Sequence, residues 1–162
     1  MFSDVIHQTA TELLERYRRA GLRIATAESC TGGLVAAALT SIAGSSDVVE
    51  RGFVTYTNEA KEQQLGVPRL ALLSYGAVSE PVARAMAEGA LRESLADVAV
   101  SVTGIAGPGG ATAGKPVGLV HFAAARRECP TLVECQVFRG DRDAVRDAAL
   151  AVALDLLRRC IG

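Results

Sequence analysis

The feature that most constrains the fold of this chain is the alternation of two hydrophobic patterns along almost its whole length. Short runs rich in β-branched residues, typical of strands, alternate with longer segments whose apolar residues recur every three or four positions, typical of helices. The first pattern predicts strands at residues 22–29, 47–56, 97–104, 117–125 and 131–138. The second predicts helices at residues 2–19, 31–42, 58–65, 79–95 and 141–160.

This order of elements predicts a three-layer α/β/α sandwich with a mostly parallel, mixed central sheet. The unbroken apolar run at 97–104 indicates a strand covered on both faces. The last two predicted strands are separated only by the polar segment 126–130 and should form an antiparallel pair. Ligands of such sheets bind beyond the carboxyl ends of the strands, so we expect Ser29, Tyr56 and the loop after Thr103 to converge at one edge.

Composition limits the classes of function. A chain of 162 residues, 49% of them hydrophobic, predicts one globular domain over residues 1–162. The 17 basic and 18 acidic side chains leave a formal charge of −1, which offers no broad positive field and argues against a nucleic-acid partner. The apolar runs are well below the ~20 residues of a membrane span, and the N-terminus lacks a signal-peptide core. We therefore expect a cytoplasmic protein with no membrane partner.

The cysteine and histidine content argues against a bound metal. The four cysteines form no C-x-x-C pair, and the two histidines lie apart from any cluster of ligand types. In a cytosolic chain such thiols are expected to be reduced and mostly buried. We therefore predict neither a metal site nor another cofactor.

The first candidate for chemistry is Ser29, which ends a predicted strand and precedes Gly32 and Gly33 at a predicted helix start. A serine can act as a nucleophile, and the unpaired N–H groups of a first helical turn can hold a phosphate, a carboxylate or a developing oxyanion. The structural alternative is a Ser or Thr N-cap with glycines that allow tight packing of helix on strand. Cys30 is a competing nucleophile, but no histidine lies near it in the sequence.

Lys61, one of only two lysines, is the candidate base. If Asn58 caps the helix at 58–65, Lys61 occupies the third helical position, where the helix dipole opposes a positive charge. A partly desolvated amine there should have a lowered pKa and could accept the proton of a serine hydroxyl, as in Ser–Lys hydrolases. Tyr56 could orient or relay that proton. The alternatives are an ordinary solvated helix lysine and an ordinary exposed tyrosine.

The loop from Gly104 to Gly110 is a candidate anion site. It follows a buried strand, and its closely spaced glycines let the backbone approach a ligand and turn N–H groups towards it. The stretch from Gly109 to Lys115 also matches a P-loop pattern. We reject that interpretation, because Pro116 occupies the Ser/Thr position and a strand rather than a helix follows.

Two arginines near the last predicted helix are a further candidate. Arg142 and Arg146 are one helical turn apart, which suits a bidentate grip on a phosphate or a carboxylate. Alternatively, they pair on a wet surface with three nearby acidic residues, Asp141, Asp143 and Asp147.

Taken in order, these segments resemble the CinA C-terminal domain family. The motifs that carry the resemblance are T-A-E-S-C-T-G-G at 26–33, G-x-x-x-Y-x-N-x-x-K at 52–61, G-A-V-S-E at 76–80, V-T-G-I-A-G-P-G-G at 102–110 and G-D-R-x-x-V-R at 140–146. The resemblance covers about Phe2 to Leu157. It implies an enzyme, without metal or cofactor, that hydrolyses the carboxamide of nicotinamide mononucleotide to nicotinic acid mononucleotide and ammonia.

The resemblance also implies roles for individual residues. Ser29 would be the nucleophile, Lys61 its base and Tyr56 an assisting proton relay. The residues implied to position the amide and its oxyanion are Thr31, Gly32 and Gly33. The residues implied to hold the nucleotide are Thr103, Gly104, Gly107, Gly109, Gly110 and Arg142.

The resemblance further implies a homodimer. Two other functions stay open from the sequence. One is a noncatalytic nucleotide-binding or partner-docking module, which would need neither Ser29 nor Lys61. The other is a serine or cysteine amidase with a different substrate.

Overall fold

The computed structural model describes residues 1–162, which form five strands and six α-helices. The strands are β1 (Ile24–Glu28), β2 (Val49–Val54), β3 (Val98–Gly104), β4 (Leu119–Arg126) and β5 (Leu132–Val137). The helices are α1 (Asp4–Ala20), α2 (Leu34–Thr40), α3 (Asn58–Leu65), α4 (Arg69–Tyr75), α5 (Glu80–Arg92) and α6 (Arg142–Cys160). None of the helices combines the length and apolar character that crossing a bilayer requires.

The five strands form one mixed sheet in the order β2-β1-β3-β4-β5. β1 runs parallel to both β2 and β3, whereas β4 is antiparallel to both β3 and β5. The predicted antiparallel pair near the end of the chain is therefore confirmed. β1 is buried throughout and β3 is buried except at its last residue, which confirms that residues 97–104 contain a strand covered on both faces.

Helices cover both faces of the sheet, which confirms the predicted three-layer α/β/α sandwich. On one face, α1, α2 and α6 pack against the sheet through large aliphatic side chains, such as Leu14 of α1 and Leu154 of α6. On the other face, α3, α4 and α5 pack over strands that present small side chains, among them Ala25, Ala99 and Ala123. Small side chains let α5 lie close to the sheet, which brings the segments before and after it near the strand ends.

The position of α3 depends on a close contact with α5. A Cβ atom at Gly89 of α5 would lie 2.0 Å from the carbonyl oxygen of Leu65, the last residue of α3. Arg92 of α5 donates a hydrogen bond to the same oxygen at 2.7 Å. Because only glycine allows this approach, Gly89 fixes how near α3 comes to the sheet.

Two helix boundaries differ from the prediction. α2 begins at Leu34 rather than near residue 31, because Gly32 and Gly33 have φ values of 59° and 101° and form a turn instead of a helical start. α3 is capped by Thr57, whose Oγ1 accepts a hydrogen bond from the N–H of Ala60, so the predicted cap at Asn58 is wrong.

The sequence-based assignment also missed α4. Gly66 and Pro68 follow the predicted helix at 58–65 and are typical of a helix end. In the structure Pro68 instead occupies the N-cap position of α4. Proline lacks a backbone N–H and fixes its own φ, so it is tolerated at a helix start as readily as after a helix end.

Candidate active site

The carboxyl ends of β1 and β3 meet at one cavity of about 310 Å³. The predicted convergence of Ser29, Tyr56 and the loop after Thr103 is confirmed, because all three line this cavity. The other predicted site residues that line it are Lys61, Thr103, Gly104, Gly107, Gly109, Gly110 and Arg142. Its remaining lining residues are Cys30, Ala77, Val78, Ile105 and Ala106.

Ser29 is the first residue after β1 and is 9% exposed. Its backbone N–H donates to the carbonyl oxygen of Val102 on β3 at 2.9 Å, which extends the pairing of the two strands by one residue. The serine therefore stands at the rigid end of the central sheet, with its side chain at the floor of the cavity. Its own N–H group is committed and is not free to bind a ligand.

The amine of Lys61 lies against the hydroxyl of Ser29. Nζ is 2.9 Å from Ser29 Oγ and 2.7 Å from the carbonyl oxygen of Thr55, and the residue is 1% exposed. None of the ion pairs of the chain involves Lys61. Burial without a carboxylate partner lowers its pKa from 10.5 to about 8, only slightly opposed by the nearby Cys30 thiol.

The predicted lowering of the Lys61 pKa follows from desolvation, one of the two causes expected. Lys61 is the fourth residue of α3 rather than the third, and its N–H donates to the Thr57 carbonyl within the helix. Desolvation at the floor of the cavity makes the neutral amine accessible near neutral pH. A neutral amine has a lone pair that can accept the Ser29 proton.

Cys30 is the neighbouring thiol and also lines the cavity. It is 6% exposed, and burial raises its pKa from 9.0 to about 11. A thiol with so high a pKa is almost fully protonated at neutral pH, whereas nucleophilic cysteines need a lowered pKa. The environment thus activates Ser29 and not Cys30.

Arg142 spans the mouth of the cavity. Its Nη1 donates to the carbonyl oxygen of Gly107 at 2.8 Å, and its Nη2 donates to the hydroxyl oxygen of Tyr56 at 2.8 Å. The Tyr56 side chain is 58% exposed and forms no hydrogen bond to Ser29 or Lys61. The contact with Arg142 places the phenol at the rim of the cavity.

The cavity is lined by basic but not by acidic side chains. Lys61 and Arg142 are its only strongly basic residues, and no Asp or Glu lines it. The backbone N–H groups of Gly107, Gly109 and Gly110 make no hydrogen bond within the protein. Free N–H groups beside a guanidinium form a site suited to an anion such as phosphate.

The structure places the predicted anion cradle at the start of α2 outside the cavity. The predicted residues Thr31, Gly32 and Gly33 do not line the cavity. The N–H of Gly32 donates to the Ser29 carbonyl, and the first-turn N–H groups of α2 are occupied by the buried carboxylate of Glu28. Sequence reasoning missed this carboxylate, although an acidic residue at the end of an apolar strand and just before a helix was a visible signal.

Arg142 and Arg146 do not form the predicted joint grip on an anion, because their guanidinium groups contact different partners. Arg146 donates to the carbonyl oxygen of Thr31 at 3.1 Å and does not line the cavity. Asp141 caps α6 by accepting from the N–H of Ala144 at 2.9 Å, and none of the ion pairs of the chain involves Arg142 or Arg146. Arg142 alone faces the ligand site.

The buried serine–lysine pair at the carboxyl edge of the sheet defines a three-layer α/β protein with a candidate serine–lysine site. The profile of the CinA C-terminal domain matches residues 6–161. The chain belongs to the CinA C-terminal domain family, as its motifs predicted.

Relatives with known names and structures agree with this membership. The chain is 52% identical over 159 residues to nicotinamide-nucleotide amidohydrolase PncC of Escherichia coli K12, covering 97% of this chain and 95% of that protein. It is 54% identical over 146 residues to a CinA-like protein of Anaeromyxobacter dehalogenans, covering 90% of this chain. The crystal structure of competence/damage inducible protein CihA from Agrobacterium tumefaciens has a TM-score of 0.95, with 49% identity and coverage of 98% and 97% of the two chains.

Several of these relatives are much longer than this chain. The match spans 36% of the Anaeromyxobacter dehalogenans protein, and between 34% and 38% of three such relatives. The E. coli protein, in contrast, matches along nearly its full length.

Proposed function

We propose that this protein hydrolyses the carboxamide of nicotinamide mononucleotide to nicotinic acid mononucleotide and ammonia. The observation that carries the proposal is the 2.9 Å contact between Ser29 Oγ and the buried amine of Lys61. The named activity of the E. coli relative, which matches nearly the full length of both chains, supports the choice of substrate.

In the first step, the neutral amine of Lys61 takes the proton of Ser29 as Oγ bonds to the carboxamide carbon. The resulting tetrahedral oxyanion needs hydrogen-bond donors, and the backbone N–H of Cys30, which follows the nucleophile in the chain and donates to no backbone carbonyl, would be one of them. Lys61 then returns the proton to the departing nitrogen, so that ammonia leaves and an ester of Ser29 remains. A water molecule attacks this ester with Lys61 as base, which releases the carboxylate product and restores Ser29.

The wall of the cavity suits the rest of the substrate. Ala77, Val78 and Ile105 form an apolar surface against which a flat pyridine ring can pack. Arg142 and the free N–H groups of the glycine loop would hold the phosphate, and Thr103, whose Oγ1 donates to the Ala77 carbonyl at 2.8 Å, would hold the two walls together. Binding energy from the phosphate would fix the carboxamide over Ser29.

The positive charge of the pyridinium ring also favours this chemistry. It withdraws electrons from the carboxamide, which makes the carbonyl carbon a better electrophile. Placed near Lys61, it further disfavours a protonated amine, since like charges repel in a poorly solvated site. Tyr56 at the rim would exchange protons between Lys61 and solvent through water.

Ammonia release from nicotinamide mononucleotide, without added metal, tests the proposal. We expect turnover by the wild type and a loss of at least about 1,000-fold in S29A, since a nucleophile of this kind acts as a unit with its base. The S29A variant should retain affinity for the nucleotide. A wild type that binds the nucleotide but releases no ammonia would instead identify a noncatalytic binding module.

A substrate panel separates the proposed substrate from another amide. The riboside and free nicotinamide lack the phosphate, so both should be poorer substrates than the mononucleotide. Equal turnover of all three would contradict the assignment of the nucleotide.

We also propose that residues 1–162 act as one domain in a cytoplasmic homodimer. Sedimentation of the purified protein tests the dimer.

A further inference from the structure

Glu28, the last residue of β1, has a fully buried side chain, with 0% exposure. Its two carboxylate oxygens accept hydrogen bonds from the backbone N–H groups of Val35 at 2.9 Å and Ala36 at 3.1 Å, in the first turn of α2. Hydrogen bonds to an ionised acceptor are roughly twice as strong as neutral ones. The carboxylate therefore ties the end of the strand directly to the start of the following helix.

The main chain of Glu28 leads to the other half of the catalytic pair. Its carbonyl accepts a hydrogen bond from the N–H of Thr55 at 2.8 Å. The carbonyl of Thr55 in turn accepts from the Lys61 amine at 2.7 Å, and that amine lies 2.9 Å from Ser29 Oγ. This series of contacts runs from Glu28 through Lys61 and returns to Ser29, the residue bonded to Glu28.

In the turn between Ser29 and α2, Cys30 and Thr31 are buried, and the N–H of Leu34 donates to the Thr31 carbonyl at 3.0 Å. Gly32 and Gly33 both have positive φ values and carry no side chains. Within the turn, the N–H of Gly32 donates to the Ser29 carbonyl, and from outside it Arg146 donates to the carbonyl of Thr31. The Glu28 carboxylate adds a side-chain contact that joins the end of β1, before the turn, to the first turn of α2, after it.

We propose that Glu28 is a positioning residue that holds Ser29 Oγ within proton-transfer distance of Lys61 by clamping α2 to β1. Glu28 does not line the cavity and does not touch the substrate. This role deepens the proposed hydrolase function and rests on it. A displacement of about 1 Å at a reacting group can cost on the order of 100-fold in rate.

The variant Glu28→Gln tests this role. Glutamine keeps the shape of the side chain but offers one acceptor oxygen instead of two, and its NH2 group faces a backbone N–H. We expect kcat per folded molecule to fall about 10- to 100-fold with KM within about threefold of wild type. The midpoint of the acid limb of the kcat–pH profile should rise, because a displaced turn admits water to Lys61 and returns its pKa towards the ordinary range.

Asp97→Asn is the matched control. The Asp97 carboxylate accepts from the backbone N–H of Arg23 at 2.8 Å, at the opposite end of β1 from the cavity. This variant weakens a carboxylate-to-backbone contact of the same kind without touching the Ser29 turn. Its kcat per folded molecule and its pH midpoint should match those of the wild type.

A second measurement does not depend on the substrate. The rate at which a fluorophosphonate labels Ser29 reports the reactivity of its hydroxyl, and it should fall about 10-fold or more in E28Q but not in D97N. The role would be overturned if folded E28Q kept the labelling rate and kcat of the wild type, or if only its KM changed. An equal loss of labelling rate and kcat in D97N would also overturn it.

Two further outcomes are covered by the same assays. If E28Q is not recovered folded, Glu28→Asp replaces it, since aspartate keeps the charge and shortens the side chain. This variant should show the same losses of kcat and labelling rate. Wild-type values of both would overturn the role. A wild type that labels at Ser29 but releases no ammonia from nicotinamide mononucleotide would contradict the proposed substrate only. The labelling rates would then still decide the role of Glu28.

Discussion

Replacing Lys61 with methionine should change how the stability of the protein depends on pH. The pKa of Lys61 is about 8 in the folded chain against an ordinary value of 10.5. Below pH 8 the amine is protonated in both states, and burial of its charge lowers stability. Between these two pKa values the folded chain has lost the proton while the unfolded chain keeps it, so stability rises with pH.

The size of this effect follows from the two pKa values. At 1.36 kcal/mol per pKa unit, a decrease from 10.5 to about 8 corresponds to a rise in the free energy of unfolding of about 3 kcal/mol across that range. Methionine has no proton to lose, so the K61M variant should lack this rise. Cys30 and other groups titrate in both proteins, so only the difference between the two proteins isolates Lys61.

Urea unfolding of the wild type and K61M, at a series of values from about pH 7 to about pH 10, measures that difference. The free energy of unfolding of the wild type should increase relative to that of K61M by about 2–3 kcal/mol over the series. Parallel curves for the two proteins would refute the lowered pKa and, with it, the role of Lys61 as a base near neutral pH. In the wild type, kcat/KM should rise with pH, reach half its maximum near pH 8 and then level off, as the neutral amine accumulates in the free enzyme.

Three further substitutions separate the parts of the site. Cys30→Ala should keep kcat within about threefold of wild type in the ammonia assay, because the thiol is protonated and does not react; loss of turnover together with retained folding would contradict this. Arg142→Ala should raise KM for nicotinamide mononucleotide by about 10-fold or more and leave KM for the riboside nearly unchanged, since a charge-assisted phosphate contact is lost. Gly89→Ala, which ordinarily favours a helix, should here destabilise the fold by about 1–3 kcal/mol in urea unfolding, because its Cβ would overlap the Leu65 carbonyl; a more stable variant would contradict the close contact.

Much of the fold could be predicted because strands and helices leave different periods in the sequence. The buried run of β3 and the alternation around it led to the three-layer sandwich and to the edge where Ser29 and the glycine loop meet. The family motifs were equally informative, since they lie at the strand ends. Local capping was harder, because Thr57 and Asn58 are both good N-caps and only the backbone geometry decides between them.

The parts that could not be predicted depend on contacts between distant segments. The proximity of Lys61 to Ser29 requires α3 to approach the sheet, and that approach depends on the missing side chain at Gly89. The sequence predicts a lowered pKa from the helix dipole and partial desolvation, but the nearly complete burial of Lys61 depends on distant segments. Glu28 was read only as part of a motif, because the partners of its carboxylate lie in the next helix.

Trapping the covalent intermediate tests the proposed chemistry most directly. The wild type is mixed with nicotinamide mononucleotide, quenched in acid within one turnover, and mapped by peptide mass spectrometry. We predict an ester of the nicotinate acyl group on Ser29, absent in S29A and K61M. An acyl group on Cys30, or steady ammonia release by S29A, would contradict the assignment of Ser29 as a nucleophile activated by Lys61.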